Sequence, residues 1–159
     1  MSLKEKISED LKTAFKNKEE KKVGVLRLLL SAIKNKELEK RAAAKTGEEQ
    51  ALSDEEVLAL AQSEVKKRKE AINQYTQGGR PELAAKEQEE IDIIQTYLPE
   101  QLAEEEVKKI VQEAVAKSGA SSIKEMGAVM AVVMRELKGR ADGNLVSALV
   151  KEALSDKNA

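Results

Sequence analysis

Cysteine and histidine are both missing from this chain of 159 residues. Their absence removes disulfides, thiolate nucleophiles, the commonest metal ligands and the one side chain that titrates near neutrality without help. No cofactor or resident metal is expected. Tryptophan is missing as well, and Phe15, Tyr75 and Tyr97 are the only aromatic residues, which leaves little material for stacking a run of splayed bases. No apolar run approaches the roughly 20 residues that cross a bilayer. The opening MSLKEKISED has neither the apolar core of a signal peptide nor the arginine-rich, acid-poor character of a transit peptide. A cytoplasmic protein with no membrane attachment is the resulting expectation.

What the chain does have is Ala, Leu, Glu and Lys in abundance, with proline only at Pro81 and Pro99. That mixture favours helices throughout, and the fold class expected is all-α. The net charge is −1, so the whole chain does not advertise a nucleic-acid partner. Its distribution is uneven. Lys21 to Lys45 carries eight basic residues against Glu37 and Glu39, whereas Thr46 to Leu98 carries six basic against twelve acidic. A polarised surface follows, unless the two stretches pack together and neutralise each other.

Apolar spacing divides the chain into helices. Leu3, Ile7, Leu11, Ala14 and Phe15 mark a first one ending near Asn17. A second begins near Glu19, apolar from Val23 to Ile33 and charged through KNKELEKRAAA, so it starts in a core and runs out into solvent. After the linker TGEEQALS, Ser53 and Glu56 form a capping box for a third, which reaches Gln77 with Val57, Ala61, Val65, Ile72 and Tyr75 inward. Gly78, Gly79 and Pro81 turn the chain into a fourth, antiparallel helix with Leu83, Ile91, Ile94 and Leu98 inward. Pro99 in LPEQL then breaks the pattern, which sets the expected domains at 1–98, an N-terminal domain of helical hairpins, and 99–159, a three-helix tail. Disorder is expected only from Lys157 to Ala159.

In the tail, Val107, Ile110, Val111, Ala114 and Val115 mark a fifth helix up to Gly119. Ile123, Met126, Met130, Val133, Met134 and Leu137 form one stripe of a sixth, opened by Ser122 with Glu125. Gly127 falls on that stripe. An interior glycine costs about 1 kcal/mol against alanine, so its position predicts a neighbouring backbone at close range. Gly139 stops this helix, and Asp142, followed by Gly143, caps the last one, whose Leu145, Val146, Leu149 and Val150 face inward.

The pair GAVM and GRADGNLV resembles the C-terminal tail of the B subunit of the glutamyl/aspartyl-tRNA amidotransferase. The chain as a whole resembles the small free-standing YqeY proteins of the GatB/YqeY family. Further matches are LRLLLSAIKNKE from Leu26 to Glu37, EVKKRKEAI from Glu64 to Ile72, GGRPELAAKEQEE from Gly78 to Glu90, and TYLPEQL from Thr96 to Leu102. The resemblance implies an all-α protein beside tRNA-dependent amidation, because in the larger family the tail contacts tRNA and does no chemistry. It extends neither to the kinase domain that activates the carboxylate nor to the separate amidase subunit.

Candidate binding residues come from the basic positions. Arg27, Lys34 and Arg41 are seven apart and share one helix face, with Lys36 and Lys40 beside them, which suits a ridge that grips phosphates. A merely solvated face is the plainer account. Lys66, Lys67 and Lys69 spread around the third helix, while Arg68 falls on its apolar stripe, opposite Glu87 and Glu90. An interhelical ion pair is expected there. GGRPE and GRADG lack the spacing of a phosphate loop, so Arg80 and Arg140 count as accessory contacts beside turns. No serine has a histidine to activate it, and no carboxylate sits in a recognisable pocket.

The expected function is a tRNA-binding or structured-RNA accessory module, non-catalytic on its own, with amidotransferase or aminoacyl-tRNA-related proteins as further partners. One alternative is a carbon–nitrogen ligase or amidotransferase using glutamine as nitrogen donor. The other is a protein–protein adaptor using the exposed long hairpin; the Met126, Met130 and Met134 stripe reads as core, with a partner-binding groove as the alternative account.

Overall fold

The computed structural model describes residues 1–45 and 47–157. Seven α-helices appear among them, with no strand. They are α1 (Leu3–Lys16), α2 (Glu20–Ala44), α3 (Asp54–Gln77), α4 (Pro81–Gln95), α5 (Glu104–Ser118), α6 (Met126–Leu137) and α7 (Gly143–Lys157), with a single 3-10 turn, Ile123–Glu125, ahead of α6. Backbone contacts divide the chain into two compact units, Met1–Leu98 and Pro99–Ala159. The expected linker starts on Thr46, outside the described residues. So do the last two positions of the expected disordered end, Asn158 and Ala159, while the Lys157 backbone still belongs to α7.

In the first unit α2 is the central element. Val25, Leu26, Leu29 and Ile33 meet Ile7 of α1, Val57, Ala61 and Val65 of α3, and Ile91 and Ile94 of α4 in one core. The charged second half of α2 runs beyond it, as its sequence requires. Local signals place the helix ends. Ser2 with Glu5, and Ser53 with Glu56, close reciprocal capping boxes that satisfy otherwise orphaned N–H groups. At the far end of α3, Gly79 adopts φ +70° and Pro81 opens α4, so the turn uses one residue that tolerates the left-handed region and one whose φ is preset. Tyr97, at the end of α4, is buried and donates its hydroxyl to Asp10 of α1 at 2.6 Å. Burial and the Asp10 carboxylate together hold that phenol well above its usual range.

One expectation in this unit fails. Phe15 is 64% exposed instead of closing the core stripe of α1. Ala14 takes the inward position, and Phe15, the next residue and about 100° around the helix, faces outward.

The second unit packs Val107, Val111, Ala114 and Val115 of α5 against Val129, Val133 and Leu137 of α6 and Val146, Leu149, Val150 and Leu154 of α7. Glu125 accepts hydrogen bonds from the Ser121 and Ser122 N–H groups at 2.8 and 3.1 Å, fixing the entry to α6. Here the expected stripe of α6 holds at Val133 and Leu137, with Met126, Met130 and Met134 packed against the same core, but fails at its N-terminal end. Gly127 is exposed and an added Cβ would meet nothing within 4 Å, so no backbone approaches it. Ile123 is likewise 47% exposed. The inward line is Val129, Val133 and Leu137, with Met126, Met130 and Met134 only partly buried beside it. At Gly143 a Cβ would sit 3.9 Å from Met134 Cε, an ordinary contact, so that glycine imposes no close approach either.

The GRADG turn is specified by other means. Lys138 already takes φ +49° and Gly139 φ +79°, ending α6 after Leu137. Arg140 donates its backbone N–H to Leu137 O at 3.0 Å, and Asp142 accepts from the Asn144 N–H at 3.2 Å at the start of α7. The Leu102 N–H and the Gln101 amide donate to Arg140 O and Gly139 O, so the turn also anchors the segment that leads into α5.

Candidate functional site

Along the α1–α2 hairpin the helix faces bring separated residues into one seam. On α1 the residues are Lys4, Ser8, Leu11, Lys12, Phe15 and Lys16, and on α2 they are Arg27, Leu30, Lys34, Glu37, Leu38 and Arg41. Steps of three and four along both helices keep each set on one side. Two hollows open along it. The larger, about 520 Å³, is bounded by Lys4, Ser8, Lys34, Glu37, Leu38, Arg41 and the loop residues Glu49 to Ala51. The smaller, about 330 Å³, lies at the other end over Leu11 and Phe15, with Lys12, Lys16 and Arg27 around it. From Arg27 to Arg41 the α2 side spans about 21 Å.

The seam is electropositive. Its lining holds six cations, Lys4, Lys12, Lys16, Arg27, Lys34 and Arg41, against Glu37 and Glu49. Lys4 is tied to Glu37 at 2.7 Å. That hydrogen bond is the main reason the Glu37 carboxyl lies below its ordinary range, helped by the Leu52 N–H and the nearby Lys34, while burial works against it. Arg27 lies with its guanidinium carbon 5.9 Å from the centre of the Phe15 ring, within cation–π range. None of Lys12, Lys16, Arg27, Lys34 and Arg41 has a carboxylate within 4 Å among the described residues.

Other basic candidates are engaged elsewhere. Lys36 pairs with Glu39 at 3.1 Å, Lys40 with Glu56 at 2.9 Å, Lys67 with Glu64 at 3.2 Å and Arg80 with Glu82 at 2.6 Å. Lys21 pairs with Glu89, so the basic stretch of α2 is partly neutralised by the acidic α4, as it is by α3 at Lys40. The Arg140 Nε donates to Leu137 O at 3.1 Å, which makes that side chain part of the turn. Lys66 and Lys69 are exposed on α3, away from the seam lining.

Arg68 behaves differently from all of these. It is 8% exposed, with Nε 3.1 Å from Glu90 across the α3–α4 contact and Nη1 2.8 Å from Glu64 on its own helix. Burial opposes both charges of the Arg68–Glu64 pair. The hydrogen bonds prevail, raising the guanidinium and lowering the Glu64 carboxyl. Glu87 is not bonded to Arg68. Burial, and then the neighbouring Glu90, push its carboxyl above the ordinary value. Sequence spacing pointed to Glu87 or Glu90 and passed over Glu64, although an i, i+4 carboxylate is a natural partner.

Reading α2 alone also missed the opposite wall of the seam. Lys4, Lys12 and Lys16 lie at multiples of four along α1, a regularity visible in the sequence. Only the pairing of α1 with α2 makes it a second row of charge.

A model of the family described as Yqey-like protein matches residues 4–154. The chain belongs to the YqeY-like family. Among curated proteins, this YqeY-like chain is 34% identical over 120 residues to "Altered inheritance of mitochondria protein 41, mitochondrial" of Saccharomyces cerevisiae, covering 72% of the chain and 61% of that protein. The protein of the same name from Pyrenophora tritici-repentis is 28% identical over 155 residues, covering 96% of the chain and 81% of the relative. The one from Vanderwaltozyma polyspora is 28% identical over 127 residues, covering 76% and 64%. These names overturn the cytoplasmic expectation, since the relatives are called mitochondrial. The reason is physical. A compartment address is read separately from the helical fold, so the composition of the residues after Met1 does not decide it.

Proposed function

We propose that this YqeY-like chain is a structured-RNA-binding accessory module of tRNA-dependent amidation, with tRNA as its RNA and no chemistry of its own. The observation that carries the reading is the α1–α2 seam, where six cations face two carboxylates over about 21 Å. Cations without carboxylate partners can neutralise phosphates and release the counterions condensed on the RNA, which drives association and makes it salt-dependent. The family resemblance supports tRNA as the polyanion and amidotransferase or aminoacyl-tRNA-related proteins as neighbours.

Electrophoretic shift with total tRNA at two salt concentrations tests this. Affinity falls steeply with salt, and replacing Arg27, Lys34 and Arg41 by glutamine lowers it for all tRNAs alike. The logarithmic salt slope flattens by roughly two to three units, each lost phosphate contact removing slightly less than one. A Lys66 and Lys69 double replacement leaves the slope unchanged. Ammonia release from glutamine by the purified protein would instead favour a carbon–nitrogen ligase. Absence of tRNA binding at low salt would favour a protein–protein adaptor, a reading that draws on two apolar side chains left exposed in the tail, Val132 of α6 at 50% and Ile123 of the turn before it at 47%.

A further inference from the structure

The small hollow at the Phe15 end of the seam combines three features. Its floor is apolar, made by Leu11 and Phe15, and the Phe15 ring stays 64% exposed. Its rim carries Lys12, Lys16 and Arg27, none with a carboxylate within 4 Å among the described residues. Its volume, about 330 Å³, falls at the small end of ligand sites. An exposed aromatic ring next to a guanidinium is the surface on which an unstacked nucleobase settles, because both are flat and every base offers a π face.

We propose that this hollow receives one unpaired nucleobase, stacked on Phe15, while Lys12, Lys16 and Arg27 hold the phosphates beside it. The proposal rests on the RNA-binding reading and deepens it by giving the seam an orientation. A duplex stem lies along Lys34 and Arg41, and its unpaired end reaches Phe15. Continuity decides in favour of RNA over an acidic peptide. Arg27, Lys34 and Arg41 repeat every seven residues along one stripe, which suits a polymer with regularly spaced charges. With Phe15 as the seam's one aromatic residue, a single base is the full extent of the stacking.

The test uses one RNA hairpin in two forms, blunt and with a single unpaired 3′ purine. The full-length protein should bind the overhanging form about five- to tenfold more tightly, the gain expected of one stacked base. Phe15→Ala should abolish the preference, so that both hairpins bind alike, and its helicity and melting should match the parent because the ring is exposed. Phe15→Trp adds a single fluorophore to a chain that has no tryptophan. Its emission should be quenched by the overhanging hairpin and not by the blunt one. Equal, salt-sensitive binding of both hairpins would overturn the base site and leave the RNA reading standing. Binding of neither would overturn both. Quenching of the Phe15→Trp variant by an acidic amphipathic peptide, and by neither RNA, would assign the hollow to a protein partner.

Discussion

The two hairpins of the first unit use arginine in opposite ways. In the α3–α4 hairpin, Arg68 is buried and bound by Glu64 and Glu90. In the α1–α2 hairpin, Arg27 lies exposed over Phe15 without a carboxylate partner. Burial explains the difference. A guanidinium removed from water must be compensated by charge and hydrogen bonds or the helix pair does not close, whereas one left in water remains available to an outside anion. Basic residues therefore report function only after those with internal partners have been set aside.

Breaking the buried side has the largest expected effect. Arg68→Ala strands Glu64 and Glu90 at the helix contact and should cost about 2–3 kcal/mol, seen as a fall of roughly 10 °C or more in the melting midpoint. Lys67→Ala, which loses only an exposed pair with Glu64, should stay within about 0.5 kcal/mol. A melting point for Arg68→Ala within about 1 °C of the parent would show that the buried contact is not structural.

The same contrast between paired and unpartnered positions reaches the tail. Gly127 is exposed within α6 with no neighbour to clash, so Gly127→Ala should stabilise the protein by about 0.5–1 kcal/mol through helix propensity, measured by urea denaturation. Destabilisation would mean that a backbone does pack there.

A smaller effect concerns Glu87, whose carboxyl is raised by burial and by Glu90. At neutral pH it is ionised at a cost, so Glu87→Gln should stabilise by a few tenths of a kcal/mol. As pH falls through the raised folded-state value, the parent's Glu87 takes up its proton and the advantage disappears. Glu64 has the opposite sign. Its lowered carboxyl contributes stability above the ordinary value of 4.5, which is lost as pH falls through the folded-state value. Denaturation of the parent and Glu87→Gln at neutral and acid pH checks both signs.

Much of the architecture was legible in the chain because its signals are local. Ser53 with Glu56, Gly78 and Gly79 before Pro81, and Asp142 before the last helix each act within one turn of backbone, and the helices begin or end there. Arg68 was legible for a related reason, being a charge on an apolar stripe. The orientation of α6 was only partly so. In MGAVMAVVM nearly every position is apolar, so the spacing found Val133 and Leu137 but not the exact centre of the face, and only packing against α5 and α7 adds Val129 and turns Gly127 and Ile123 outward.

The seam marks the same division. Sequence determined that Arg27, Lys34 and Arg41 share a face of α2, and that Lys4, Lys12 and Lys16 recur along α1, because helical periodicity is set by the backbone. Tertiary structure decided that these rows lie side by side, that Phe15 stands outside the core between them, and that Lys36, Lys40 and Arg80 are occupied by carboxylates. Periodicity fixes the direction of a side chain on its own helix, but the groups it meets are set by the pairing of helices distant in sequence.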